Sequence, residues 1–457
     1  MNAAIEARVL RPLGETIRSH RHLLSNAGSM LGTTVITSLL GVGFWLLAAH
    51  DFSQDAVGVA AAAVGAMTLL GFLATLGLGT LLMGELPLLE SGHRSLINAA
   101  LAVTTAAGAV LGLLFAAIAP SVSPEFEPLR ESWLTLLSFG LGVGFTALAF
   151  VIDQALIGML LGKLQLRRNG VFAAVKLAIL IPIAALVADP GAAWIYSAWG
   201  FGVAVSMLAL SRFYLRRDGD SLRPNFGRLV EMRLSAASHH AFNLALQIPG
   251  LALPVLVVGL VSAAANASFY IAWMIAGLLV MVPVSLGTVL FPIGSRDPQG
   301  MVQGMRLTLR ISLAFGLLAN LFLLVAATPI LEIFGSEYAA EGASTLHILA
   351  LGVFPLTFKT LYVAIHRVSR KLGRGLPIVW GGTVLELVGA AVGAKLGGLT
   401  GVSLGWLIAV TIEGLVMGRD VVSFLRRGPS ETEGEDEEPE AAAPLVSPDR
   451  TQPQLLR

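Results

Sequence analysis

Repeated apolar runs, several longer than twenty residues, constrain this chain more than any other feature. An α-helix rises ~1.5 Å per residue, so about twenty apolar residues cross a ~30 Å hydrocarbon core. Read against charged and Pro/Gly breaks, the runs fall at 26–49, 57–82, 96–118, 133–161, 169–188 and 193–211, then 239–260, 268–291, 306–327, 343–365, 377–395 and 399–418. Of 457 residues, 55% are hydrophobic and only 13% charged, with a mean hydropathy of +0.78. A water-soluble globule of this length cannot bury so much apolar surface. The expectation is an all-α polytopic membrane protein of twelve transmembrane helices, in two six-helix lobes around a central cavity.

Basic residues stay in cytoplasmic loops, and 26 of the 30 Lys and Arg fall before residue 26 or in alternate loops and the C-terminal segment. Both termini are therefore expected in the cytoplasm, in a plasma-membrane protein. Span six ends at the basic stretch Arg212 to Arg233, from which span seven starts, so each half holds an even number of helices, as parallel repeats do. Ala119-Pro120 is echoed by Thr328-Pro329, and Trp199 by Trp406. The expected organisation is a basic amphipathic arm (1–25), a first lobe (26–211), a basic linker (212–238), a second lobe (239–418) and an acidic, proline-rich disordered tail (419–457). In the arm, Ile5, Val9, Leu13 and Ile17 recur between arginines, a pattern for an anionic leaflet surface. From Gly428 onward eight acids leave nothing to fold around.

Several chemistries are excluded. With no cysteine there are no disulfides, thiolate sites or cysteine nucleophiles. No phosphate-binding G-x-x-x-x-G-K-[ST] loop is present, so the chain itself does not hydrolyse ATP. The histidines have no metal-ligand spacing, and a net charge of +1 argues for no nucleic-acid partner. No metal, cofactor or enzymatic activity is expected. Gly140, Gly142 and Gly144 read as close helix packing, Glu125 and Glu127 as a solvated loop edge, and Asn266-Ala-Ser268 as a glycosylation sequon of little weight.

Five ionisable residues remain inside apolar spans: Asp153, Lys176, Lys359, Glu386 and Glu413. Each costs roughly 2.5 to 3.5 kcal/mol at a helix centre, so they must be paired or wet. From the span boundaries, Asp153 and Lys176 both lie ~11 Å deep on consecutive helices and are expected to pair. Lys359 is expected as a second, less neutralised cation facing the cavity. All five fall from the midplane toward the basic side, as an aqueous cavity open to that side would produce. Pro249 and Pro254 in span seven, Pro283 and Pro292 in span eight, and Pro355 in span ten are expected to bend their helices.

The stretch Asp153-Gln154 to Lys163, then Gln165, Arg168-Asn169, Phe172 and Lys176-Leu177, with Leu86-Pro87 and Phe334-Gly335-x-x-Tyr338, resembles the multidrug/oligosaccharidyl-lipid/polysaccharide exporter superfamily, and within it bacterial polysaccharide flippases. The resemblance spans roughly Asn26 to Met417. It implies a cavity that moves a lipid-linked oligosaccharide from the inner to the outer leaflet by alternating access. It also implies basic residues for a polyprenyl pyrophosphate, with Lys176, Lys359 and Arg168 as matching candidates. The partners it suggests are a polyprenyl-pyrophosphate-linked glycan, the bilayer and polysaccharide assembly enzymes. Peptidoglycan-precursor flippases carry basic residues in the first span, and residues 26–49 contain none. A surface-polysaccharide precursor is therefore preferred. The alternatives are a cation-coupled drug exporter of the same superfamily, using Asp153, Glu386 and Glu413, and a non-transporting scaffold.

Overall fold

A computed structural model describes residues 37–89, 91–215, 222–231, 233–294, 298–369 and 372–428. The amphipathic arm and the acidic tail beyond Gly428 lie outside the described residues, whereas 419–427, expected as the start of the disordered tail, is helical. The elements are α1 (37–51), α2 (Gln54–Ala74), α3 (Leu78–Glu85), α4 (His93–Val122), α5 (Trp133–Gly158), α6 (Gly162–Leu186) and α7 (Ala192–Leu215). A short α8 (Phe226–Glu231) precedes α9 (Arg233–Leu260), α10 (Ala263–Gly294), α11 (Pro298–Glu332), α12 (Ser336–Ala350), α13 (Val353–Val368) and α14 (Leu372–Arg427). No strand occurs among the described residues. Nine of these helices are long and apolar enough to cross a membrane, ten when α12 and α13 are taken as one bent span.

Among the described residues the helices follow the expected spans, the first from residue 37 onward, with three departures from straight helices. The second span breaks at Thr75-Leu76-Gly77, where Leu76 and Gly77 take φ of 51° and 78°. Glycine accepts that left-handed conformation without steric cost, and the Thr75 hydroxyl donates back to the Phe72 carbonyl at 2.8 Å. The tenth span bends by 42° between α12 and α13. Pro355 sits in the first turn of α13, where a missing N–H costs little, so it follows the break rather than kinking a helix interior. Third, α14 reverses at Gly397 and Gly398, the latter at φ 54°, giving two antiparallel arms. Those arms touch backbone to backbone, because a methyl on Gly405 or Gly401 would overlap the carbonyl of Gly389 or Gly393.

The two prolines that echo each other in the sequence fall at similar places in their helices. Pro120 and Pro329 lie within α4 and α11, close to their ends. Gly140 and Gly144 of α5 face Gly112 and Gly108 of α4 at backbone distance, the close packing expected of that run. The linker folds back on α4: Ser95 Oγ donates to the Arg223 carbonyl at 2.6 Å and Asn98 Nδ2 to the Leu222 carbonyl at 2.8 Å.

The buried apolar residues divide in a way that matters for function. One large core unites both lobes around the connections at Phe52, Leu129 and Tyr338, the end opposite the basic loops. Toward the basic loops each lobe has its own core, around Leu82, Leu96 and Val151 in the first and around Tyr362, Val379 and Met417 in the second. The lobes thus share one core at one end and keep separate cores toward the other, where they still touch: Phe72 stacks on His240 with ring centroids 5.3 Å apart. At the joined end Asn266 Nδ2 donates to the Gly58 carbonyl at 2.7 Å, and Gln54 Nε2 to Ser268 Oγ at 3.0 Å. Asn266 and Ser268 are fully buried there, so the sequon is an interlobe contact and no glycan site. A methyl at Gly58 would overlap the Ala263 carbonyl. Gly58→Ala should therefore destabilise the joined lobes by roughly 1–3 kcal/mol, the usual cost of overpacking, in thermal unfolding of the solubilised protein. Gly41→Ala on α1, where nothing lies within 4 Å, should not.

Candidate functional site: three sets of buried charges

The first set lies across the short turn joining α5 to α6. Arg168 Nη2 donates to Asp153 Oδ2 and to Asn169 Oδ1, and Asn169 Nδ2 donates to Asp153 Oδ2 at 3.2 Å and to the Gln165 carbonyl at 3.2 Å. Arg168 is buried, while the Asp153 side chain keeps partial access. The expected Asp153–Lys176 pair is therefore corrected: Asp153 is neutralised by Arg168. The error has a physical origin. Lys163, Arg167 and Arg168 suggest a loop, yet α6 begins at Gly162 and carries Arg168 within it. Lys176 lies eight residues past Arg168, about 12 Å further along the helix, out of Asp153's reach.

Lys176 forms the second set, with only 2% of its surface exposed. Its Nζ sits 3.5 Å from the Trp199 ring centroid, 4.8 Å from Phe172 and 4.9 Å from Phe44. Among the described residues it makes no ion pair. Cation–π contact contributes ~2 kcal/mol when desolvated, whereas desolvating an ammonium costs several kcal/mol. The three rings offset only part of that cost, so the cage favours an anion beside it.

The third set joins three helices of the second lobe. Lys359 Nζ on α13 donates to Glu386 Oε1 on the first arm of α14 at 2.8 Å and to Glu413 Oε2 on the second arm at 3.0 Å. Trp406 Nε1 donates to the other Glu386 oxygen at 2.7 Å. All four side chains are buried, and Glu413 Oε1 has no hydrogen-bond partner among the described residues. Gly382 leaves room for that carboxylate, since a methyl there would overlap it. The expectation that Lys359 is the under-neutralised cation is also corrected: two carboxylates surround it, and the excess charge is negative.

The tryptophans read as repeat markers take part in both sites. Trp199 on the sixth span faces a cation on the fifth, and Trp406 on the twelfth faces an anion on the eleventh. Opposite charges use opposite parts of the indole, its π face toward Lys176 and its N–H edge toward Glu386. Sequence reasoning assigned neither a partner; an aromatic at the same place in each half, one helix from a buried charge, was the available signal. Glu127, on the loop after α4, pairs with Arg130 at 2.8 Å in the open, and that guanidinium holds its carboxyl below the usual carboxylate range. This fits the solvated edge expected there.

Residues 240–392 match the MatE family, a stretch holding Lys359 and Glu386. An inward-facing multidrug resistance MATE family transporter of the MOP superfamily superposes with a TM-score of 0.64 at 16% identity, over 86% of this chain and 95% of that one. The family match covers only part of the chain, and the solved structure shares its fold. The lipid II flippase MurJ in an inward closed conformation superposes equally well, at 0.64 and 15% identity over 85% of this chain and 86% of that one. A MOP superfamily transporter from Pyrococcus furiosus gives 0.60 at 12% identity, over 89% and 96%. No curated protein matches this chain in sequence. A multidrug resistance transporter and a lipid flippase thus share this fold, and the chemistry of the chain's own buried charges must separate them.

Proposed function

We propose that this MOP-fold protein moves a lipid-linked, pyrophosphate-bearing oligosaccharide from the inner to the outer leaflet by alternating access. The observation that carries the reading is Lys176: a buried ammonium held by three aromatic rings, with no carboxylate partner among the described residues. An anionic headgroup would supply the missing counter-charge, and aromatic faces stack on sugar and isoprenoid alike. Arg168 and Lys359, offered beside it by the sequence, already carry their own carboxylates. With the basic loops cytoplasmic, the lobe ends that keep separate cores would face the inner leaflet, the side from which such a substrate is taken. In liposomes the protein should carry a fluorescent polyprenyl-pyrophosphate sugar across the bilayer without ATP; no movement of that lipid would sink the reading.

A second reading has an observation of its own. The Lys359, Glu386 and Glu413 set carries more acid than base and leaves Glu413 Oε1 unsatisfied, which suits a proton- or cation-coupled exporter. Efflux of lipophilic cations under a proton gradient, lost in Glu413→Gln and indifferent to Lys176, would favour it.

Orientation can be tested separately, on the cysteine-free background. Asp55→Cys and Glu337→Cys, both exposed at the joined end, should react with an impermeant thiol reagent in intact cells. Lys163→Cys, exposed at the basic end, should not, and its labelling from outside would reverse the topology.

A further inference from the structure

A groove of about 890 Å³ runs between α13 and the second arm of α14. It lies between the helices that carry Lys359 and Glu413, yet none of the buried charges lines it. Its floor exists because Gly414 and Gly418 carry no side chains: a methyl on Gly414 would stand 2.7 Å from Pro355 Cβ, and one on Gly418 3.5 Å from Phe358 Cδ1. The helices therefore approach closely there and leave a channel above the contact. One half of the channel is apolar, walled by Phe354, Phe358 and Leu415, the last 68% exposed. The other half is basic, with Arg419, Arg426 and Arg427 toward the end of the arm.

The order of these residues is set by helix geometry. Leu415, Arg419, Val422 and Arg426 recur at three- and four-residue steps, one stripe along the arm. Arg419 and Arg426 stand two turns apart, about 10.5 Å along the axis. All three guanidiniums lie at the surface, and none has a carboxylate partner among the described residues. Apolar walls at membrane depth followed by forked cationic donors at the interface complement a molecule with a hydrocarbon chain and an anionic phosphate head.

We propose that this groove is a binding site for an anionic glycerophospholipid, its acyl chain along Phe354, Phe358 and Leu415 and its phosphate between Arg419 and Arg426, with Arg427 beside it. The site is separate from the cargo path and holds whether the cargo is a lipid-linked sugar or a drug. It ties α13, which carries Lys359, to the arm that carries Glu413, so an occupied groove braces the charge set from outside.

The test is lipid retention by the full chain. Protein reconstituted in nanodiscs with equal phosphatidylglycerol and phosphatidylcholine is extracted in mild detergent, and the lipid that stays bound is counted by native mass spectrometry. Phosphatidylglycerol should be retained at least tenfold over phosphatidylcholine. The Arg419→Ala/Arg426→Ala double variant should lose that preference, whereas Arg419→Lys/Arg426→Lys should keep part of it. Leu415→Trp should cut retention with every arginine in place, which separates a built groove from mere surface charge. Equal retention of the two lipids by the unaltered protein, or undiminished preference in the double alanine variant, overturns the proposal. So does retention that rises several-fold on neutralising Glu431, Glu433, Glu435 and Asp436, because the arginines would then belong to the chain's own tail.

Discussion

Lys359→Ala should be among the most destabilising charge removals in this protein. It leaves Glu386 and Glu413 facing each other in a buried site with no cation between them. Breaking a buried ion pair from one side costs roughly 3–5 kcal/mol, and two stranded carboxylates put this case at the upper end. Removing all the charge should reverse the loss: Lys359→Met with Glu386→Gln and Glu413→Gln should recover most of the stability, since buried ion pairs are often replaceable by neutral groups. Glu413→Gln alone should be mild or stabilising, because it removes the excess negative charge and leaves Lys359 paired with Glu386. Thermal unfolding followed by fluorescence-detected size exclusion reads all three. A Lys359→Ala protein within ~1 kcal/mol of the parent would mean the three groups are not held as a unit.

Lys176→Met should behave in the opposite way. Among the described residues no carboxylate pairs with Lys176, so its removal strands none of them, and an apolar chain suits three aromatic rings better than an ammonium. Stability should hold or rise, while transport of a pyrophosphate-bearing lipid should fall at least tenfold, about 1.4 kcal/mol of lost anion recognition. Arg168→Ala is the contrasting variant: it strands Asp153 and should lower abundance. Loss of stability in Lys176→Met would reveal an anionic partner, and full transport would remove this lysine from substrate binding. Together the two lysines separate a structural charge from a functional one.

These predictions invert the roles that spacing alone assigned to the lysines, and the reason lies in the α5–α6 turn. Arg167 and Arg168 are loop-like in composition, so hydropathy alone starts the fifth span after them. The helix in fact starts at Gly162, because Arg168 finds Asp153 across the turn and need not stay in water. A buried partner cancels the charge that marks a residue as interfacial, and no hydropathy pattern records the partner. The same holds for Lys359, whose two carboxylates come from helices that pack beside it only in the folded lobe.

Sequence by itself determined the membrane class, the twelve crossings, the halves and the identities of the buried charges. Each of these follows from one-dimensional physics: apolar length against bilayer thickness, Lys and Arg in alternate loops, and the cost of an ionisable group in hydrocarbon. Tertiary structure alone decided which charges meet, where the second, tenth and eleventh-to-twelfth spans break, and at which end the lobes share a core. Those outcomes depend on contacts such as Gly58 against Ala263 or Trp406 against Glu386, between residues far apart in the chain. An ionisable side chain in hydrocarbon must find a partner within a few ångströms, and only packing sets which partner that is.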